Sequence, residues 1–141
     1  MSRAFRLAGL LRLRHLQEEQ AAAGLARANA VVQAAQDKQI EAMGMLVQAT
    51  FPAHTNTVGW DAAVATRAAL AGLLGETAVA VDVAARRAEI ATGAWSAARS
   101  RVATLEKLED RHVTQVRRDE DHAEQLVLDE AASRLHTLED R

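Results

Sequence analysis

The sequence contains no cysteine and no tyrosine, a single proline, and aromatic residues at only 3% of its 141 positions. Each scarcity excludes something. Without cysteine there is no disulfide scaffold, no thiol catalysis and no thiolate metal site, which fits a reducing compartment. With so few aromatic and β-branched residues the chain lacks the side chains that fill sheets and wide globular cores. No uninterrupted run of 18 apolar residues occurs, so no membrane span is expected. The leading arginines precede an apolar run from Leu7 to Leu13 that Arg12 breaks, and no small-residue cleavage site follows, which argues against a cleaved signal. Nor is there an excess of positive charge: a formal net charge of −2 argues against non-specific nucleic-acid binding. Lysine occurs only as Lys38 and Lys107, the other basic residues being arginine.

What the chain does have is helix formers. Roughly a fifth of its residues are alanine, accompanied by Arg, Glu, Gln and Leu. One segment interrupts them, Phe51-Pro52-Ala53-His54-Thr55-Asn56-Thr57-Val58. Pro52 cannot continue a helix, while Asn56 and Thr57 are good N-cap residues and Asp61 suits a first turn. The pattern therefore predicts one coiled-coil domain over 1–141: a helix over about 3–50, a turn over about 51–58 and a second helix over about 59–139. Gly72-Leu73-Leu74-Gly75 is the weakest point of the second helix, a place for a kink or a third-helix boundary.

The second half carries a seven-residue repeat. Leu74, Val81, Ala88, Trp95, Val102 and Val116 share one register, broken by Glu109. Leu70, Ala84, Ala91, Ala98, Leu105 and Leu126 share the other, with Thr77, His112 and Asp119 intervening. These are the a and d positions of a left-handed coiled coil. The first half gives a looser stripe of Leu25, Ala28, Val32, Ala35, Ile40, Met43 and Leu46. A short turn forces the two helices antiparallel, so the fold class is all-α: a two-helix antiparallel coiled-coil hairpin with a longer second helix. At 1.5 Å per residue the arms would be ~70 Å and ~125 Å long. Folding about residue 55 sets Phe5 and Leu7 opposite Leu105 and Leu108, and leaves the second helix without a partner from about Glu109. That overhang is rich in charge, from Arg117-Arg118-Asp119-Glu120-Asp121 to Asp129-Glu130, which suits either a solvated lone helix or one that docks.

No catalytic constellation emerges. The glycines are scattered and none forms a phosphate loop. No two of His15, His54, His112, His122 and His136 lie three or four apart, so helical spacing creates no metal pair. Glu18-Glu19 and Asp129-Glu130 are adjacent pairs with no pocket to raise a pKa. His15 could approach the region of His112, but exposed helix histidines explain both. An enzyme is the least favoured class, and no cofactor or metal is expected. The first fourteen residues carry Arg3, Arg6, Arg12 and Arg14 and no acid, whereas the last forty or so have an acidic excess. In a hairpin these meet at the open end, either to stabilise one another at ~0–1 kcal/mol per exposed pair or to form a partner surface with Phe5, Leu7, Leu10, Leu11 and Leu13. A basic amphipathic start also suits a membrane surface, but the stripe is short and a protein partner is favoured. Trp95 reads as a seam residue and Trp60 as a cover for the hairpin tip. Leu70, Leu73 and Leu74 cannot all face the first helix, which leaves apolar surface outside.

Three clusters carry a resemblance: Phe5-Arg6-Leu7-x-x-Leu10-Leu11-x-Leu13-Arg14 with Glu18-Glu19; Trp95 followed by Arg99-Ser100-Arg101-Val102-x-x-Leu105-Glu106-Lys107-Leu108-Glu109-Asp110-Arg111; and Leu128-Asp129-Glu130-Ala131-Ala132. With the central break and the Trp60-to-Trp95 spacing, the chain resembles the flagellar export protein FliJ family along essentially its whole length. The resemblance implies a cytoplasmic component of the flagellar type III export apparatus, peripheral at the inner face of the membrane. It would act as a stalk that binds and stimulates the export ATPase ring and links it to the cytoplasmic domain of the export gate, and as an escort for export chaperones. By position it implies ATPase contacts at Phe5, Leu7, Leu10, Leu11, Arg14, Leu105, Lys107 and Leu108, and gate contacts at Leu70 and Leu73. Thr66 and Thr77 stand where bulkier residues would be expected beside the gate contact. The alternatives are the equivalent stalk of an injectisome and a structural coiled-coil scaffold that homodimerises through its overhang.

Overall fold

The computed structural model describes residues 4–139, with side chains described through Arg134; Arg3 and the side chain of His136 lie outside the described residues. Two helices make up the fold, α1 over Ala8–Gln48 and α2 over Thr57–Glu139, and they pack as an all-α hairpin. α2 runs without interruption through Gly72 and Gly75, neither of which takes a positive φ, so no third-helix boundary exists there. The chain falls into two compact units: Glu18–Ala97, and the residues up to Gln17 together with those from Ala98 onward.

The unit of Glu18–Ala97 holds the turn, and the turn is built from a few specific contacts. Asn56 caps α2: its side-chain Oδ1 accepts the Gly59 N–H at 2.9 Å, and its carbonyl accepts the Trp60 N–H at 3.0 Å. A Cβ at Gly59 would meet the Thr55 hydroxyl, so a side chain there requires Thr55 to turn aside. Phe51 and Trp60 stack across the turn with centroids 4.7 Å apart. Trp60 thus covers the tip, as its position suggests. The last turn of α1 carries no basic residue of its own. Arg67 of α2 supplies the missing cation, donating to the Ala49 carbonyl and, at 3.5 Å, to that of Leu46, while lying 5.4 Å over the Phe51 ring. A positive charge on the last carbonyls of a helix is favoured by the helix dipole, and the ring adds a cation–π contact.

Away from the tip this unit is held by small side chains. Ala42 and Ala84 are buried, and Leu25, Ala28, Val32, Ala35, Leu46, Leu70, Leu74, Val81, Ala88 and Ala91 are half-buried. On α2 this is the expected heptad as far as Ala91, and Thr77 keeps to it, half-buried with its hydroxyl bonded to the Leu74 carbonyl; Trp95, expected on the seam, is instead exposed. On α1 the stripe differs from expectation. Ile40 and Met43 are exposed, and the seam runs one residue earlier, through Gln39 and Ala42. The heptad from Leu25 through Val32 to Leu46 demands position 39, and packing follows that period even where the neighbouring side chain is more apolar.

The other unit has the larger core residues: Leu11, Val102 and Leu105 form one buried cluster, with Val102 fully enclosed. Phe5 lies against His112, ring centroids 5.7 Å apart, rather than opposite Leu105. The pairing is therefore shifted along α2, and Val116 is still half-buried while every residue from Arg117 to Arg134 is exposed. The unpartnered length starts after Val116, later than Glu109, because the helices pair about a point beyond residue 55, as Phe5 beside His112 and Arg67 beside the Ala49 carbonyl each show.

By length and composition α2 passes for a membrane-spanning helix, contrary to the sequence expectation: an 18-residue stretch has a mean hydropathy of 1.6 and is 6% buried. Residues 68–85 show why, being Ala, Val, Leu and Gly apart from Thr77 and the two acids Glu76 and Asp82. Hydropathy there comes from alanine and valine on faces that the single seam cannot cover.

Replacing Arg67 by Met keeps the stem and removes the charge on the α1 carbonyls. The expected loss is about 1–2 kcal/mol, from charged hydrogen bonds and the dipole contact. Urea unfolding followed by helical circular dichroism reads it, and an unchanged midpoint would mean that Arg67 does not hold the tip.

Candidate functional site

Two stretches carry the residues singled out for binding. The first is the unit in which the start of α1 meets α2. Here the structure separates the candidates into two groups. Leu11 and Leu105 are buried against Val102 and are packing residues of the free chain. Phe5 is half-buried on His112, and Arg14 is half-buried with its Nη1 donating to Gln17 Oε1 at 2.8 Å. Leu7, Leu10, Lys107 and Leu108 are exposed, and Leu13 and Leu16 add to the apolar surface. Exposed leucines gathered on one short stretch of a two-helix pair are the kind of surface a partner covers.

Charge borders that surface. His15 Nε2 lies 3.7 Å from Glu106 Oε1, joining the two helices, and His112 faces Phe5. On the outward side of α2, Lys107, Arg111 and Arg118 follow one another at helical spacing, with Asp110, Thr114 and Gln115 beside them. The heptad analysis missed this basic stripe because it scored only seam positions. A count of charges at four- and seven-residue spacing would have found it.

Beyond Val116, α2 presents both charge and apolar side chains to solvent. Ala123, Val127 and Leu128 form an apolar ledge with Glu124, and Leu126 is exposed as well, although it shares the seam register. With nothing from α1 alongside, a seam position is simply a solvent position. Local pairs support the helix: Gln115 bonds Asp119 at 2.8 Å, and Arg134 pairs with Glu130 at 2.5 Å. Such i,i+4 pairs are worth ~0.3–0.5 kcal/mol each.

The second stretch is early α2. Leu70 is half-buried on the seam, and Leu73 is exposed. Thr66 returns its hydroxyl to the Ala62 carbonyl at 2.9 Å and adds no bulk. Among the described residues no three His, Asp or Glu side chains gather where a metal ion could be held.

The fold and these surfaces define an all-α coiled-coil hairpin whose distinguishing features lie on its outside. The flagellar FliJ protein family model matches residues 2–141, and the chain belongs to that family. It is thus a component of the flagellar export apparatus, of a family that is not catalytic. No curated protein matches the chain. No solved structure matches it either.

The buried and exposed candidates respond differently to truncation. Leu105→Ala should cost about 2–5 kcal/mol, as for other buried leucines. Leu108→Ala, at a solvent-facing position, should cost less than about 0.5 kcal/mol. Chemical unfolding of both variants measures the difference, and equal costs would contradict the division drawn above.

Proposed function

We propose that the chain is the cytoplasmic stalk of the flagellar export ATPase: it binds and stimulates the ATPase ring and links it to the cytoplasmic domain of the export gate. The observation that carries this reading is the length of α2 after Val116, which is helical, unaccompanied by α1 and lined with exposed Leu126, Val127 and Leu128. A lone helix that displays three large apolar side chains in sequence is costly in water and favoured inside a partner. Membership in the flagellar FliJ family supports a partner within the flagellar export machinery.

In this reading the ATPase contacts are the exposed members of the first stretch, Leu7, Leu10, Lys107 and Leu108, together with the basic stripe of Arg111 and Arg118. Phe5, Arg14, Leu11 and Leu105 act through them, by holding the two helices together where the contacts sit. The gate contact is Leu73, with Leu70 beneath it. Escort of export chaperones and a place at the inner face of the cell membrane, reached through the gate, belong to the same reading.

The test is to add the purified chain to its organism's flagellar export ATPase and follow hydrolysis and ring assembly. Stimulation is expected at about one chain per ring, since a stalk serves the whole assembly. Leu108→Asp, Leu7→Asp and Val127→Glu should each reduce stimulation while leaving the helical signal intact. Leu73→Asp should reduce binding of the gate domain and leave ATPase stimulation unchanged. No stimulation and no co-elution with the wild-type chain would refute the stalk reading. An ATPase from an injectisome that responded where the flagellar one did not would move the chain to that system.

A further inference from the structure

We propose that the outer face of α2 between Leu73 and Ile90 pairs with the same face of a second copy, antiparallel, about a twofold axis passing between Val81 and Asp82. Beside the main seam, α2 carries a second stripe at alternating intervals of three and four: Leu73, Glu76, Ala80, Val83, Arg87 and Ile90. These positions share one helix face. All six are exposed, the three large apolar ones at 40% for Leu73, 41% for Val83 and 74% for Ile90. The middle of the stripe, Glu76, Ala80, Val83 and Arg87, lines one side of an open groove of about 460 Å³, whose other side is Val31, Ala34, Ala35 and Lys38 of α1.

What identifies the occupant is the order of residues along the stripe, which is complementary to its own reverse. Each member has its counterpart equally far from the point between Val81 and Asp82. Leu73 meets Ile90 of the second copy, Glu76 meets Arg87, and Ala80 meets Val83. Every pair is then matched: large apolar with large apolar, acid with base, small with large. The small–large pair lets the two helices approach closely, and Ala69 and Ala94 continue the match outward. Two Glu–Arg pairs related by the twofold set the antiparallel direction, because a parallel arrangement would place Glu76 on Glu76 and Arg87 on Arg87. Among the described residues neither Glu76 nor Arg87 enters an ion pair within the chain, so both are available. Such an interface is isologous and closes at two copies. It is also narrow, which makes it a weak and reversible one. It does not rest on the gate reading, but it covers Leu73, so self-pairing and the proposed gate contact exclude each other.

Sedimentation of the full chain across a concentration series tests this. The mass should rise from 15.2 kDa toward twice that value as concentration increases. E76R and R87E should each raise the concentration needed for half-dimerisation about tenfold or more, by setting like charges against one another. The double variant E76R/R87E restores opposite charges and should return it to within about threefold of the wild type, a non-additivity that independent surface changes do not give. V83R should abolish the dimer, whereas V127E, on the unaccompanied part of α2, should leave it unchanged. As all of these positions are exposed, helical content should stay constant. On the cysteine-free background, Leu73→Cys combined with Ile90→Cys should give a dimer cross-linked by two disulfides on oxidation. A chain monomeric at every concentration would overturn the proposal. So would a dimer that the single reversals leave intact, or that V127E destroys.

Discussion

Two helices side by side have one seam between them, and a residue away from that seam is in water whatever its character. This constraint governs both units of the chain. Alanine is the residue that tolerates it best, because it favours the helix without asking for burial. It also lets paired helices come close where it does fall on the seam, as Ala42, Ala84 and Ala98 do. The larger side chains are then kept for places where something has to be fixed. Leu11, Val102 and Leu105 lock the unit that contains the start of α1, and Phe51, Trp60 and Arg67 lock the turn.

The turn illustrates how little chain is needed to set a register. α1 ends without a basic residue and without a left-handed glycine cap. Its exposed carbonyls are satisfied from the other helix, by a guanidinium that also sits on the ring of the first residues after the helix. Because Arg67 is itself half-buried on α2, this contact ties a particular position of α2 to the end of α1. A slip of α2 by one heptad would still bring small side chains such as Ala84, Ala88 and Ala91 into the seam, so the seam alone discriminates weakly. The aromatic stack and the Arg67 contacts discriminate strongly, since they have no counterpart a heptad away. In this unit specificity comes from the turn and helix pairing from the repeat.

The same division explains what could be read from the amino acids alone. The heptad of α2 was legible because Leu74, Val81 and Val102 mark it with large side chains, whereas Trp95, in the same register, is exposed. That of α1 was not legible at residues 39–43, where hydropathy points to Ile40 and Met43 while the period points to Gln39 and Ala42. Period prevails, because a helix cannot shift its facing side by one residue without rotating its whole remaining length. The fold-back point lies later than the turn sequence suggests, because the contacts of Arg67 and Trp60, not the midpoint of the loop, decide which part of α2 stands beside the end of α1. That displacement moved Phe5 from Leu105 to His112. Among the binding candidates, pattern identified the right stretch but not the right faces. Leu11 and Leu105 are as apolar as Leu10 and Leu108, and only the pairing of the helices decides which of them meet solvent.

The faces left outside are not equivalent, and the difference bears on what can cover them. After Val116 the exposed leucines and valine stand among charges of both signs, some of them engaged along the helix, as Asp119 is with Gln115 and Glu130 with Arg134. What sets that surface apart is its uncovered apolar area, which suits a partner whose cavity takes large apolar side chains. The stripe from Leu73 to Ile90 is the opposite case. Its acid and its base lie eleven positions apart, too far for an i,i+4 pair, and neither enters an ion pair among the described residues, although Lys38 of α1 lines the same groove. The two surfaces therefore sort their partners by different physics, one by burial and one by charge order. A chain with a single seam and almost no aromatic residues can in this way keep distinct contacts apart on one pair of helices.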